Sequence, residues 1–188
     1  LWFGDNPRRG LGVFTQLPTE VIEMELPRYV VPIQVEGPTP FLLIAVWAMP
    51  DKGDRYIRGV VRAMELCRHL IEGQPTVVLG DLNTNAIWNH QNPADRNHTA
   101  LVQNLDVLGL CSAYHAHRDE LHGEEKEPTF YLYRHENRPY HLDYCFLPNT
   151  WTVKSLSVGS LSEWKHLSDH VPLIVETEPG NPPSFAQR

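Results

Sequence analysis

The chain has 188 residues, 41% of them apolar and 21% charged, with a formal net charge of −7. That is the composition of one globular unit built on a single substantial core. It excludes a broad basic surface that grips nucleic acid non-specifically, and no run approaches the ~18 apolar residues of a membrane-spanning helix.

The three cysteines, Cys67, Cys111 and Cys145, are scattered within apolar patterns. They read as small buried hydrophobes in a reducing, cytoplasmic setting. Residue 1 is Leu and no secretory leader is visible, which reads as a chain whose upstream segment is missing. Gly10 to Phe14 reads as a glycine turn feeding a short strand. Val21 to Leu26 alternates loosely as a second strand. Val30 to Val35 is a third, and Pro32 favours an edge position for it. Phe41 to Trp47 is continuously apolar and predicts a central strand. Strands in succession, separated by Pro and Gly turns, favour antiparallel pairing.

The period then changes. Ile57, Val60, Val61, Met64, Cys67 and Ile71 recur at helical spacing, with Asp54 as a candidate cap and Gly73 just past the end. The polar face carries Arg58, Arg62, Glu65 and Arg68 and reads as solvated. A strand at Thr76–Leu79 follows, so strand, helix and strand predict a crossover. Asn85 to Asn97 is polar apart from Trp88 and reads as a surface loop beside the site. Asn97 caps a second helix, with Leu101, Leu105 and Leu108 as its inner stripe and Gly109 as its stop. Asp119 to Glu127 is acidic and reads as exposed. Thr129–Tyr133 and Tyr140–Phe146 read as a hairpin. Val153–Val158 and Val171–Val175 are the last strands. Residues 178–188 read as a flexible tail after a single domain over 1–177.

Three short motifs carry chemistry. Gly80-Asp-Leu-Asn83 places Asp81 and Asn83 two apart at the end of an apolar strand, hence on one side of it. His141-Leu-Asp-Tyr144 repeats the device with His141 and Asp143. Ser168-Asp-His-Val-Pro172 sets an acid beside an imidazole ahead of an apolar strand. A Ser/His/Asp nucleophile reading of Ser168 fails on placement, because no elbow glycines surround it.

In this order the motifs resemble the endonuclease/exonuclease/phosphatase superfamily, whose members include deoxyribonuclease I and exonuclease III. The resemblance runs from Gly10 to Val175. It implies an α/β (α+β) fold, a four-layer sandwich of two mostly antiparallel β-sheets flanked by helices. It also implies hydrolysis of a phosphoester with a divalent metal, Mg²⁺ or Mn²⁺. The expected substrate is DNA or RNA. A small-molecule or lipid-headgroup phosphatase, or a catalytically dead binding domain, is the alternative.

The roles follow from the chemistry. Charge that develops on a phosphodiester under attack by water is stabilised by a hard cation, and carboxylates are the natural ligands of that cation. Asp169 is the expected ligand. Asp81 ligates or acts as general base. Asn83 holds the phosphate or the water. His170 donates to a phosphate oxygen, and Asp143 orients that imidazole and favours its protonated form. His141 either supports Asp143 or packs.

Two departures stand out. The family's early strands, carrying an Asn and a metal-binding Glu, should precede Gly10, and Asp5 is no convincing substitute. Where relatives place a Tyr or His to touch the phosphate, this chain has Val46-Trp-Ala-Met-Pro50, with Trp47 read as core. The expectation is an unpaired edge or an exposed apolar groove, covered by an upstream segment or by self-association.

Overall fold

A computed structural model describes residues 1–51 and 53–180. Strands β1 (Trp2–Asn6) and β2 (Arg9–Gly12) form an antiparallel hairpin. Strands β3 (Thr19–Val21), β4 (Val30–Val35) and β5 (Phe41–Trp47) then pair antiparallel in succession. Helix α1 (Ile57–Ile71) crosses over, and β6 (Thr76–Asp81) returns parallel to β5. A 3₁₀ segment, Ala86–Gln91, leads to α2 (His98–Val107), β7 (Leu110–Ser112) and α3 (Ala113–Arg118). The short hairpin of β8 (Phe130–Tyr131) and β9 (Pro139–Tyr140) precedes β10 (Asp143–Pro148). Strand β11 (Thr152–Val158), helix α4 (Leu161–Trp164) and strand β12 (Leu173–Glu178) complete the order. Residues 181–188 of the expected tail lie outside the described residues.

Six strands form the central sheet in the order β3-β4-β5-β6-β10-β7. One face is covered by α1 and α2, whose inner residues Val60, Met64, Cys67, Leu101 and Leu105 meet Ile44, Val78 and Phe146. On the other face Ile33, Val77, Cys145 and Leu147 meet Tyr114 of α3, with Phe3 and Leu11 at one side and Val175 at the other. The second layer is therefore two separate two-stranded sheets, β1–β2 and β11–β12. Between them an open apolar groove of ≈ 490 Å³ crosses the sheet, floored by Leu43, Val77 and Cys145.

Several expectations change for physical reasons. Val30–Val35 is not an edge: β4 lies between β3 and β5. Ile22 donates to the Pro32 carbonyl, and Pro32 has no N–H to return, so the β3 ladder stops there. That is why the strand expected over Val21–Leu26 ends at Val21, while Ile22, Met24 and Leu26 pack on the helical side. Asp54 does not cap α1. Tyr56 occupies that position with φ 48° and no side-chain bond, and Asp54 accepts from Arg62 at 3.0 Å instead. Trp47 is not a core residue: it is half-buried, stacked on Tyr29 at 4.9 Å, with the Arg9 guanidinium 5.4 Å from its ring centre.

Candidate active site

Strands β6 and β10 run antiparallel with Asp81 directly opposite Asp143. Two carboxylates on adjacent strand ends repel, and both stay only where something offsets the repulsion. Gly80, one residue earlier, lets β6 lie against β5 on its other side. Its φ is +140°, and a Cβ there would sit 1.9 Å from the Val46 carbonyl oxygen. After Asp81 the chain folds back on itself. Asn83, at φ 47°, donates its backbone N–H to Asp81 Oδ1 at 2.8 Å and its Nδ2 to Oδ2 at 2.8 Å. Asn83 Nδ2 also donates to the Ala48 carbonyl at 3.0 Å. Both amide hydrogens are thereby committed, and only Oδ1 remains to meet a ligand.

The third motif is brought in by β8. Tyr131 N–H donates to the Asp169 carbonyl, and Val171 N–H donates to that of Thr129. His170 Nδ1 then lies 2.8 Å from Asp143 Oδ2. Asp143 is itself held by its N–H bond to Thr129 Oγ1 at 3.0 Å. Ser168 Oγ accepts from the His170 N–H at 3.0 Å, so this hydroxyl shapes the turn. Asp81, Asn83, Asp143, Asp169 and His170 thus converge at one end of β6 and β10.

The electrostatics match the crowding. Burial, then the charge of Asp143, raises Asp81 to about 7, with Asp169 adding to the rise and His170 opposing it. Burial alone would lower His170. The hydrogen bond and charge of Asp143, with Asp81 and Asp169, outweigh it, so the imidazole's affinity for a proton is raised.

His141 is placed elsewhere. It is buried with its ring 4.4 Å from Tyr114 and 5.0 Å from Tyr144, and its Nδ1 meets the Glu127 carbonyl at 2.8 Å. Burial lowers its proton affinity, although Asp143 is near enough to act on it in the opposite sense.

Sequence reasoning missed the walls of the site. A cleft of ≈ 350 Å³ opens beside Asn83 and Thr84, lined by Arg55, Tyr56, Arg58 and Trp88. Arg58 was read as part of a solvated face, yet its Nε donates to Asn92 Oδ1 at 3.2 Å across this cleft. The position of Arg58 one step off the apolar stripe is the only signal in the sequence. Asp5 pairs with Arg28, and neither Asp5 nor Glu20 is among the groups that shift Asp81.

The resemblance implies Mg²⁺ or Mn²⁺. The acids suit a hard cation, because Asp81, Asp143 and Asp169 repel without one. Among the described residues, however, the one group of three ligand atoms within 4.8 Å of one another lies elsewhere. The fit is to a cation held by one or two carboxylates, with waters and substrate oxygens completing its shell.

No protein-family model and no curated protein sequence matches the chain. Solved structures do. The endonuclease domain of TRAS1, a telomere-specific non-LTR retrotransposon, superposes with a TM-score of 0.55 at 18% identity, covering 86% of this chain and 67% of that one. A 3′ phosphatase from Neisseria, NExo, bound to a product DNA hairpin, gives a TM-score of 0.55 at 21% identity over 80% of this chain and 65% of that one. An endonuclease/exonuclease/phosphatase from Beutenbergia cavernae gives 0.53 at 14% identity over 87% of this chain, which spans only 45% of its length. At such identities the likeness is one of architecture. The chain has the fold of the endonuclease/exonuclease/phosphatase family.

Proposed function

We propose that the chain is a divalent-metal-dependent phosphoester hydrolase that cleaves phosphodiester bonds of nucleic acid. The convergence of Asp81, Asn83, Asp143, Asp169 and His170 at one sheet end is the observation that carries this reading. Asp169, with Asp81 beside it, would hold Mg²⁺ or Mn²⁺, which would supply Lewis-acid stabilisation of the phosphate oxygens. Asp81, opposite Asp143 at the end of its strand and held by Asn83, takes the proton of the attacking water. Asn83 fixes the Asp81 carboxylate through two bonds, and its free Oδ1 accepts from that water. His170, held by Asp143, donates to the phosphate as negative charge grows there.

The cleft supports nucleic acid over a small phosphomonoester. Arg55 and Arg58 offer bidentate donors to backbone phosphates, and Trp88 and Tyr56 offer rings on which a base can stack. The NExo structure carries a DNA hairpin product, which agrees with this choice of substrate. The test is a panel of single-stranded DNA, duplex DNA, RNA and bis-p-nitrophenyl phosphate, each with Mg²⁺, Mn²⁺ or EDTA. Arg58→Ala should raise KM about tenfold on the polymers and leave bis-p-nitrophenyl phosphate unchanged. Equal effects on all substrates would move the assignment to a small-molecule phosphodiesterase.

A further inference from the structure

The catalytic reading leaves a second cluster of chemistry-bearing groups unused. It lies in the interior, where α3, the 119–127 segment and the residues ahead of β10 meet. His98, His115 and His141 are buried, and the Glu125 side chain is only 4% exposed. His115 and His122 stack with ring centroids 3.5 Å apart. One ligand atom from each of His115, His122 and Glu125 falls within 4.8 Å of the others.

Burying several imidazoles and a carboxylate is costly unless each is satisfied. Here satisfaction is uneven in an instructive way. His115 Nε2 meets Glu125 Oε1 at 3.1 Å while its Nδ1 is held by Ser112 Oγ at 2.7 Å. His141 Nδ1–H donates to the Glu127 carbonyl, which leaves Nε2 with a lone pair, and that buried atom has no partner. A ring whose Nδ1 is anchored to a carbonyl or hydroxyl, with Nε2 turned to the interior, is the arrangement of a metal-ligating histidine. Asn85 Nδ2 donates to Glu125 Oε2 at 3.0 Å and orients the carboxylate. Imidazoles around a carboxylate are a nitrogen-rich donor set that suits Zn²⁺ far better than Mg²⁺.

We infer that His115, His122 and Glu125 form a structural site for Zn²⁺, distinct from the catalytic centre, and that the unpartnered His141 Nε2, which lies outside this group of three, would move in as fourth ligand. Zinc bonds of ~2.0–2.1 Å in tetrahedral order place ligand atoms roughly 3.4 Å apart. The His115–Glu125 pair already has that spacing, and His122 closes the site by exchanging its 2.9 Å bond to His98 for the metal. The ion would tie the 119–127 segment to the backbone that leads into Asp143. It would also balance the Glu125 charge in the interior.

The test loads the whole chain with Zn²⁺ or Co²⁺ alone, removes excess by dialysis, and measures metal content, the visible Co²⁺ spectrum and the melting temperature. The expected result is one Zn²⁺ per chain and the intense absorption of tetrahedral Co²⁺. Zinc at a hundredfold excess over Kd should raise the melting temperature by about 5–10 °C. Glu125→Gln and His122→Gln should lose the metal. Ser112→Ala, a smaller change, should weaken it by about 10–100-fold. The Asp81→Asn/Asp169→Asn double variant should keep it. If the wild-type chain retains no zinc, the cluster is a hydrogen-bonded histidine network and the inference fails. It fails equally if the bound metal disappears with the Asp81/Asp169 pair or gives the weak spectrum of an octahedral oxygen site.

Discussion

Asp81 is an acid that its neighbours hold close to neutrality. An acid whose pKa is higher folded than unfolded loses stability as pH climbs between the two values. The metal-free chain should therefore lose stability from about pH 4 to about pH 7, because Asp81 is raised from 3.8 to about 7. The penalty is on the order of 4 kcal/mol above that window. Asp81→Asn removes it. Melts in EDTA at pH 8 should show the variant about 8–16 °C above wild type, while its hydrolysis is abolished. A variant that melts at or below wild type would argue against a strained carboxylate cluster. Asp143→Asn acts differently, because it takes away the partner of His170. It should lower kcat by about 10²–10³-fold with little change in KM, and move the basic limb of the pH–rate profile to lower pH, because His170 loses the partner that raises its proton affinity.

At the scale of elements, some of the fold was written plainly in the chain. The run Phe41–Trp47 and the helical stripe from Ile57 to Ile71 became β5 and α1 with those bounds, joined by the expected crossover into β6. Asn97 also caps α2 as expected, through Oδ1 and the Ala100 N–H. Asn97→Ala should cost about 1 kcal/mol, read as a melting temperature lower by about 3 °C. Other elements had no periodicity to read. Strand β7 is three residues long, and α3 is six residues of mostly polar side chains. Both are defined by tertiary partners: β7 by β10, and α3 by the hydroxyl of Tyr114 on Glu120. The acidic stretch Asp119–Glu127 misled for the same reason. Glu125 is buried by His115 of α3 and by Asn85, 40 residues away in the chain. Within the site, Asp81 and Asn83 do meet, but not by the strand alternation that their spacing predicts: β6 ends at Asp81, and Asn83 turns back onto it at φ 47°. The separation of His141 from Asp143 was not legible either, because the chain enters β10 only at Asp143. Gly80 offers a sharp test of the strand end that carries Asp81. Gly80→Ala would drive a methyl into the Val46 backbone at a φ of +140°, so it should cost more than about 3 kcal/mol or prevent folding. A near-neutral Gly80→Ala would mean that β5 and β6 sit farther apart than described.

The whole molecule carries a charge of −7, yet the cleft beside Asn83 presents Arg55 and Arg58. Two phosphate contacts predict a shallow salt dependence, with log KM for single-stranded DNA rising about 1.4 per decade of salt. Removing Arg58 should reduce that slope by about 0.7. The same molecule leaves an apolar groove open across its central sheet, with Phe14 at the rim 92% exposed. The chain spans 67% and 65% of the TRAS1 and NExo structures. The central claim is decided by comparing the chain with the right variant. The measurement is hydrolysis of bis-p-nitrophenyl phosphate by wild type and by Asp169→Asn, in Mn²⁺ and in EDTA. The proposed chemistry predicts turnover that requires the metal and falls at least about 100-fold in Asp169→Asn, with the variant folded by circular dichroism. Wild-type turnover that persists in EDTA, or equals that of the variant, would contradict it.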